Sequence, residues 1–450
     1  MSRDREEVRR AVLSCLEEGS TDRLRQCLKD LHPADIAEVL PDISLGQQVK
    51  VLRVMEPDRA AQVIFELDRE KLPILMECLG LQRTADILSA MFTDDAADLL
   101  GDLPGDLRQK LLGLMEAHEA RDLKELLTYG EETAGGIMTT EYVAIPQDIT
   151  AGQAIEVLRE NAPDAETVYY VYVVDDQNHL VGVLSLRELI LAAPNMRIED
   201  IMRRKVISVN VNTDQEEVAR LVAKYDFLAV PVVSDAGELL GIVTVDDVLD
   251  VIEREATEDM MRMAATIDSE GEDPDASPVK RALRRLPWLV GLLFGELVAG
   301  HVIEGFSETL QHLTALAFFM TAIAGGTGNA ATQSLAVVVR GIATGEVDPS
   351  QILKVIWKEA QVGLWVGLVC GLVVGFFAFV WQSSPSLGLV VGGALALSIT
   401  VSTILGSFVP VIINRIGVDP ALASGPFITT LMDVSSMFIY FTLATLILVR

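Results

Sequence analysis

The rhythm of apolar and polar positions divides this 450-residue chain into three parts. Residues 1–130 read as one short helix after another, with a loose recurring motif: Ala34-Asp35-Ile36-Ala37, Ala60-Ala61-Gln62-Val63, Ala85-Asp86-Ile87-Leu88 and Ala96-Ala97-Asp98-Leu99. The units begin after turns such as Leu31-His32-Pro33 and Glu56-Pro57-Asp58, which predicts an all-α superhelical stack rather than one long bundle. From Ile137 the pattern changes to strands alternating with helices, and it occurs twice. IMTTEYVAI and IMRRKVISV each open a unit, and an amphipathic helix follows at 150–160 and at 213–224. Each unit then runs strand, turn, strand, helix: VYYVYVVDDQNHLVGVLSLRELI in the first copy and FLAVPVVSDAGELLGIVTVDDVL in the second. Two related α/β units at 137–200 and 201–258 are therefore expected. Beyond Arg285 five apolar stretches follow, at 286–306, 313–339, 356–381, 387–413 and 421–449. Each has the ~20 residues that a helix needs to cross a bilayer, so 286–450 is expected to be a five-span helical membrane domain.

Charge sharpens this division. The chain carries 36 basic and 65 acidic side chains, a net of −29, although half of it is hydrophobic. The first 279 residues hold 57 of the acidic and 27 of the basic residues, so the excess lies wholly in front of the apolar stretches. A domain of that sign is repelled by a phosphate backbone, which argues against nucleic acid and makes cations the natural partner. Four scattered cysteines without C-x-x-C spacing suggest neither a zinc knuckle nor a disulfide framework. The opening MSRDREEVRR has no apolar run behind it, so no cleavable signal peptide is expected. Lys280, Arg281, Arg284 and Arg285 precede the first stretch; Arg340, Lys354 and Lys358 lie between the second and third, and Arg415 between the fourth and fifth. The positive-inside rule then puts the N-terminal part in the cytoplasm and the C-terminus outside.

Candidate chemistry sits in three places. In the third stretch Gly363, Gly367, Gly371 and Gly375 share one groove, as close helix packing requires. In the second, AGGTGNAATQS interrupts the apolar pattern, with Asn329, Thr332 and Gln333 on one face; polar groups at this depth mark either a kink or a water-filled path. In the fifth, Asp433 stands mid-span with Thr429 and Thr430 a turn before it and Ser436 a turn after. A carboxylate there costs about 3 kcal/mol or more to insert, so it is expected to face a bundle interior and serve ions, a structural hydrogen bond being the alternative. Pro426 is expected to free further carbonyls below it. Such an all-oxygen set suits Mg²⁺ or Ca²⁺ rather than zinc or copper. Between Asp246 and Asp275 lie twelve carboxylates opposed only by Arg254 and Arg262. They read as a solvated helix face or as a cation sensor, since a divalent ion turns their repulsion into attraction. No Walker A or Asp-Lys-Thr-Gly sequence is present, so transport would be passive.

The duplicated unit resembles a tandem CBS pair, which implies a ligand sensor that commonly dimerises. Some such pairs bind ATP or another adenine nucleotide, and Thr244 and Asp247 stand where members contact the ribose. The whole order of parts resembles the MgtE family of magnesium channels, most specifically through AGGTGNAATQS and VDPALASGPFITTLMDVSS. The resemblance implies a homodimer in the cytoplasmic (inner) membrane, with the pore on its two-fold axis lined by the second and fifth spans. Asp433 of each subunit would hold hydrated Mg²⁺, bordered by Asn329, Thr332, Thr429 and carbonyls near Gly425, with Asp419 at the cytoplasmic mouth. The family's cytosolic Mg²⁺ ligands match Asp94, Asp98, Gly136, Asp214, Glu216, the Ala223 carbonyl, Asp226, Asp247, Asp250, Glu255, Glu258 and Asp259. Gln62 stands where a further acidic ligand is expected. Residues 1–130 and the acidic connecting helix (246–280) would close the pore when Mg²⁺ is high. The alternative is a broader Co²⁺, Mn²⁺ or Ni²⁺ transporter regulated by nucleotide. No nucleophile–base constellation suggests an enzyme.

Overall fold

The structure, a computed structural model, describes residues 5–17, 20–67, 69, 71–161, 165–264, 277–344, 346–347 and 351–449. The chain forms two compact units, Met1–Ile252 and Glu253–Arg450. Among the described residues of the first, ten helices come before any strand: α1 (Arg5–Glu17), α2 (Thr21–Lys29), α3 (Pro33–Val39), α4 (Leu45–Val54), α5 (Pro57–Phe65), α6 (Leu72–Leu79), α7 (Leu81–Leu88), α8 (Thr93–Asp102), α9 (Gly105–Leu112) and α10 (Ala117–Leu126). Local chemistry sets their starts. Pro33 and Pro57 open α3 and α5, where a missing N–H costs nothing, and Ser44 with Gln47 forms a capping box on α4. Helices pack on their second neighbours, α3 on α5, α5 on α7 and α7 on α9. Each copy of the Ala-centred motif lies inside a helix, with Ile36, Ala60, Ile87 and Leu99 buried.

The duplication is structural down to its irregularities. The first copy contains β1 (Ala144–Pro146), α11 (Ala151–Asn161), β2 (Tyr170–Val174), β3 (Leu180–Ser185) and α12 (Leu186–Leu191). The second contains α13 (Ile198–Ile201), β4 (Val209–Asn210), α14 (Gln215–Tyr225), β5 (Ala229–Val233), β6 (Leu239–Thr244) and α15 (Val245–Met263). Both sheets have a parallel first pair and an antiparallel second pair, in the orders β1-β2-β3 and β4-β5-β6. The register slips at Val173/Val174 in one and at the equivalent Val232/Val233 in the other. The copies interlock through backbone bonds between Thr139 and Ile242 and between the two hairpin tips, Leu180 to Gly237 and Leu239 to Asn178. One apolar core runs from Val8 through the N-terminal helices into the second copy, ending at Val251.

Helix α15 is 19 residues long; its first part belongs to the first unit and its last part to the second. Asp268, Glu270, Glu272, Asp273 and Asp275 of the acidic run lie outside the described residues. The second unit continues with α16 (Pro278–Gly305), α17 (Ser307–His312), α18 (Ala317–Ala343), α19 (Ile352–Gln382), α20 (Pro385–Arg415) and α21 (Gly425–Ala444). Four helices among the described residues are long and apolar enough to cross a membrane: Pro278–Gly305, Ile352–Gln382, Pro385–Arg415 and Gly425–Leu448. Helix α18 has the length, at 27 residues, but its polar stretch makes it less apolar than those four. It runs through that stretch without a break, and Thr327 and Thr332 satisfy their hydroxyl protons on carbonyls of the preceding turn. The glycine groove of α19 brings backbone onto backbone. A Cβ at Gly371 would stand 2.5 Å from the Gly392 carbonyl oxygen of α20, and one at Gly375 2.7 Å from that of Gly388.

Candidate functional site

Three carboxylates from three separate segments meet in the first unit. Asp94 comes from the first turn of α8, Glu166 from the loop before β2, and Asp247 from the first turn of α15; their ligand atoms all lie within 4.8 Å of one another. Asp94 is only 6% exposed, and its Oδ1 has no hydrogen-bond partner; nor has the buried Oε2 of Glu166. Among the described residues no Lys, Arg or His pairs with any of the three. Burial pushes the carboxyls up first. Repulsion from Asp247 adds to it at Glu166, raised to about 7, at neighbouring Asp95, raised to about 8, and at Asp94, raised well above its ordinary range. Asp247 rises to about 6, with Asp246 and Asp250 adding repulsion and Thr244 opposing it. Such a set, acid-only and desolvated, either keeps protons or takes up a hard divalent cation. Glu166 had no signal of its own, since an isolated Glu in a loop reads as solvated surface.

Other expected ligands are differently engaged. Asp98, one turn along α8, pairs with Arg69 at 3.0 Å. Asp214 caps α14 by accepting from the Glu216 N–H, and the Glu216 carboxylate pairs with Arg220. Ala223 is exposed near the end of that helix, and Asp226 ends it in a left-handed conformation with φ +53°. Gly136 is half-buried in a turn where a Cβ would sit 2.8 Å from the Glu131 carbonyl oxygen, so the turn has no room for a side chain there. Gln62 is exposed on α5, and Asp250 is exposed on α15.

Thr244, proposed for nucleotide contact, donates its hydroxyl proton to Asp247 within the carboxylate cluster. Its counterpart in the first copy has different surroundings. Ser185 and Glu188 form a capping box on α12, and Glu188 also bonds Arg203 at 2.7 Å. The Ser185 N–H and Arg203 hold the Glu188 carboxyl below its usual range. This pair lines a cleft of about 480 Å³ together with Tyr170, Phe227, Arg203 and Lys205.

In the second unit, α18 and α21 touch where the sequence is polar. A Cβ at Gly328 would lie 3.2 Å from Thr429 Cγ2, and one at Gly425 would lie 3.4 Å from Thr332 Cγ2. Asn329 and Gln333 are exposed on α18. Contrary to the expectation from sequence, Pro426 frees no carbonyl: it occupies the first turn of α21, where no helical bond is lost, and Thr429 and Thr430 donate to its own oxygen. Asp433 is half-buried, and a second carboxyl stands within hydrogen-bonding reach of it, Glu296 of α16. The same reasoning that singled out Asp433 applied to Glu296, a charge inside an apolar stretch. Asp419 accepts from the Ala421 N–H at 2.8 Å and pairs with Arg262, which also pairs with Glu258. Glu255 and Asp259 flank that residue on the half of α15 that belongs to this unit. Met263 packs on an apolar cluster formed by Ala331 and Leu335 of α18 with Ile428 and Met432 of α21.

Residues 320–443 match a family described as a divalent cation transporter, 31–132 the MgtE intracellular N domain, and 134–195 and 198–254 the CBS domain. The magnesium transporter MgtE of Bacillus subtilis is 39% identical over 436 residues, 96% of each chain. That of Thermus thermophilus is 39% identical over 442 residues, 97% of this chain and 98% of the relative. Among solved structures, the cytosolic domain of the Mg²⁺ channel MgtE in complex with ATP shares 42% identity at a TM-score of 0.53, covering 54% of this chain and 99% of that one. The soluble part of a magnesium transporter shares 40% at the same TM-score, covering 56% and 100%.

Proposed function

The chain belongs to the MgtE family of magnesium transporters, and from that premise we propose a Mg²⁺-selective channel that its cytosolic unit closes when Mg²⁺ is high. The observation that carries this reading is helix α15. Its first turn holds Asp247 in the carboxylate cluster, and its last turn seats Arg262 and Met263 against Asp419 and the α18/α21 contact. A divalent cation at Asp94 and Asp247 replaces repulsion with attraction and fixes the start of that helix. The ion's own differential binding supplies the free energy for the shift from open to closed. Asp250, Glu255, Glu258 and Asp259 extend the cation sites along α15, and Gly136, Asp214, the Ala223 carbonyl and Asp226 complete the set. Asp98, Glu216 and Glu258 join only by exchanging an arginine for the ion, so they fill after the cluster at Asp94 and Asp247.

Helix α18 crosses as a fifth span, packed on α20 and α21 with Thr327 and Ser334 of its polar stretch buried. The cluster Lys280, Arg281, Arg284 and Arg285 keeps the N-terminal unit inside, and five crossings leave the C-terminus outside. Two copies about a two-fold axis line a shared path with the exposed Asn329 and Gln333, bordered by Thr332, Gly425 and Thr429, and Asp433 of each copy meets the hydrated Mg²⁺ cargo. An adenine nucleotide fits the cleft at Tyr170, Phe227, Arg203, Lys205 and Glu188, where the rings stack on the base and Arg203 and Lys205 meet phosphates. The ATP complex of the solved relative supports this assignment. Full-chain proteoliposomes with a trapped Mg²⁺ dye test the reading. Asp433→Ala abolishes influx, whereas Asp247→Asn keeps influx at cytosolic Mg²⁺ levels that close the wild type. Normal influx in the first variant, or normal closure in the second, overturns it.

A further inference from the structure

We propose that Glu166 is the third carboxylate ligand of the cation site at Asp94 and Asp247, so that one ion fastens three separately folded segments. This rests on the sensing role proposed above and adds the first CBS copy to the site. The buried Asp94 aims an unpartnered Oδ1 into the cluster, and Glu166 adds an unpartnered Oε2. Desolvated carboxylate oxygens left without donors are costly, and here the missing partner must bring positive charge, since no basic side chain among the described residues supplies it. Neutral donors only partly answer the cluster. The Asp95 N–H lies against the Asp94 carboxyl and the Thr244 N–H against that of Asp247. The hydroxyls of Thr139 and Thr244 lie against the Glu166 carboxyl, yet the single Thr244 proton also serves Asp247, and Asp94 Oδ1 and Glu166 Oε2 are left without a donor.

Position favours Glu166 as well. Its N–H is anchored on the Glu141 carbonyl at 2.9 Å, and Thr139 is fixed by its backbone pair with Ile242, so the carboxyl is held by the interlock between the two copies. Oxygens around one Mg²⁺ stand about 2.1 Å from it, hence about 3 Å apart at right angles and about 4.2 Å across. A cluster spanning 4.8 Å needs only a small contraction to reach that geometry, with water completing the shell. With two ligands the ion joins α8 to α15; with the third it also locks the loop that leads into β2.

The full chain in detergent, with Mg²⁺ alone as probe, tests this. Two readouts are followed for wild type, Asp94→Asn, Asp247→Asn and Glu166→Gln: the Mg²⁺ concentration that half-protects against trypsin, and the melting temperature in EDTA. Glu166→Gln is expected to raise the half-protecting concentration by about tenfold or more, while its melting temperature in EDTA stays level or rises as a buried charge is lost. A Glu166→Gln midpoint equal to wild type, with the two Asp variants shifted, overturns this inference and leaves the sensing role standing. No shift in any variant overturns the sensing role at this cluster. A lower melting temperature in EDTA with an unshifted midpoint makes Glu166 structural and likewise overturns the inference. Glu166→Asp, which keeps the charge on a shorter arm, gives an intermediate midpoint and covers the case in which the Gln variant does not fold.

Discussion

The two CBS copies share strand order, register and even the position of a bulge, yet equivalent residues in them face opposite surroundings. In the first, Glu188 has an arginine and a backbone N–H, its carboxyl is held low, and it borders an open cleft. In the second, Asp247 meets two further carboxylates, its carboxyl is pushed up to about 6, and no basic side chain among the described residues answers it. One scaffold thus presents the same hydroxyl–carboxylate pair twice, once toward arginine and lysine and once toward acid. The neighbours, and not the motif, decide whether the pair suits a nucleotide or a cation.

The largest break in that contrast comes from Asp247→Asn. It is expected to raise the Mg²⁺ needed for trypsin protection by about tenfold or more and to leave ATP affinity unchanged, read by titration calorimetry. The mirror experiment, Tyr170→Ala, removes a ring from the cleft and is expected to weaken ATP binding by about 1–3 kcal/mol, with the Mg²⁺ midpoint unchanged. If either substitution moves the other ligand's affinity equally, the copies are not separate sites.

A pH titration sharpens the same contrast. The carboxyls of Asp94, Asp95, Glu166 and Asp247 are raised in the folded state, so above the ordinary carboxylate range the folded chain binds more protons than the unfolded one. Stability from these groups is complete below the unfolded value and is lost as pH rises through about 6 to 8. Glu188 is lowered, so its contribution is present above the unfolded value and is lost on acidification. The melting temperature in EDTA is therefore expected to fall between about pH 5.5 and 8, and saturating Mg²⁺ is expected to flatten the slope. A melting temperature that rises over that range contradicts the electrostatic account. The smallest effect belongs to Glu188→Gln. The capping box accepts Gln at that position, so only the exposed pair with Arg203 is lost, about 0–1 kcal/mol by thermal melts.

Sequence alone carried the order of parts, the duplication, the sign of the charge and the apolar stretches, because periodicity and composition survive in one dimension. It also marked Asp433, conspicuous in an apolar stretch, whereas Asp247 stood in a run of carboxylates and was named only through the family resemblance. What it did not carry was which acids meet and which are already answered. Arg69, Arg220 and Arg262 take Asp98, Glu216 and Asp419, over separations from four residues to well over a hundred. Glu166 and Glu296 acquire their carboxylate neighbours only when distant segments pack together. Pairing energy depends on distance and desolvation, and both are set by the tertiary fold, so the one-dimensional pattern ranks carboxylates by number where the folded chain ranks them by company.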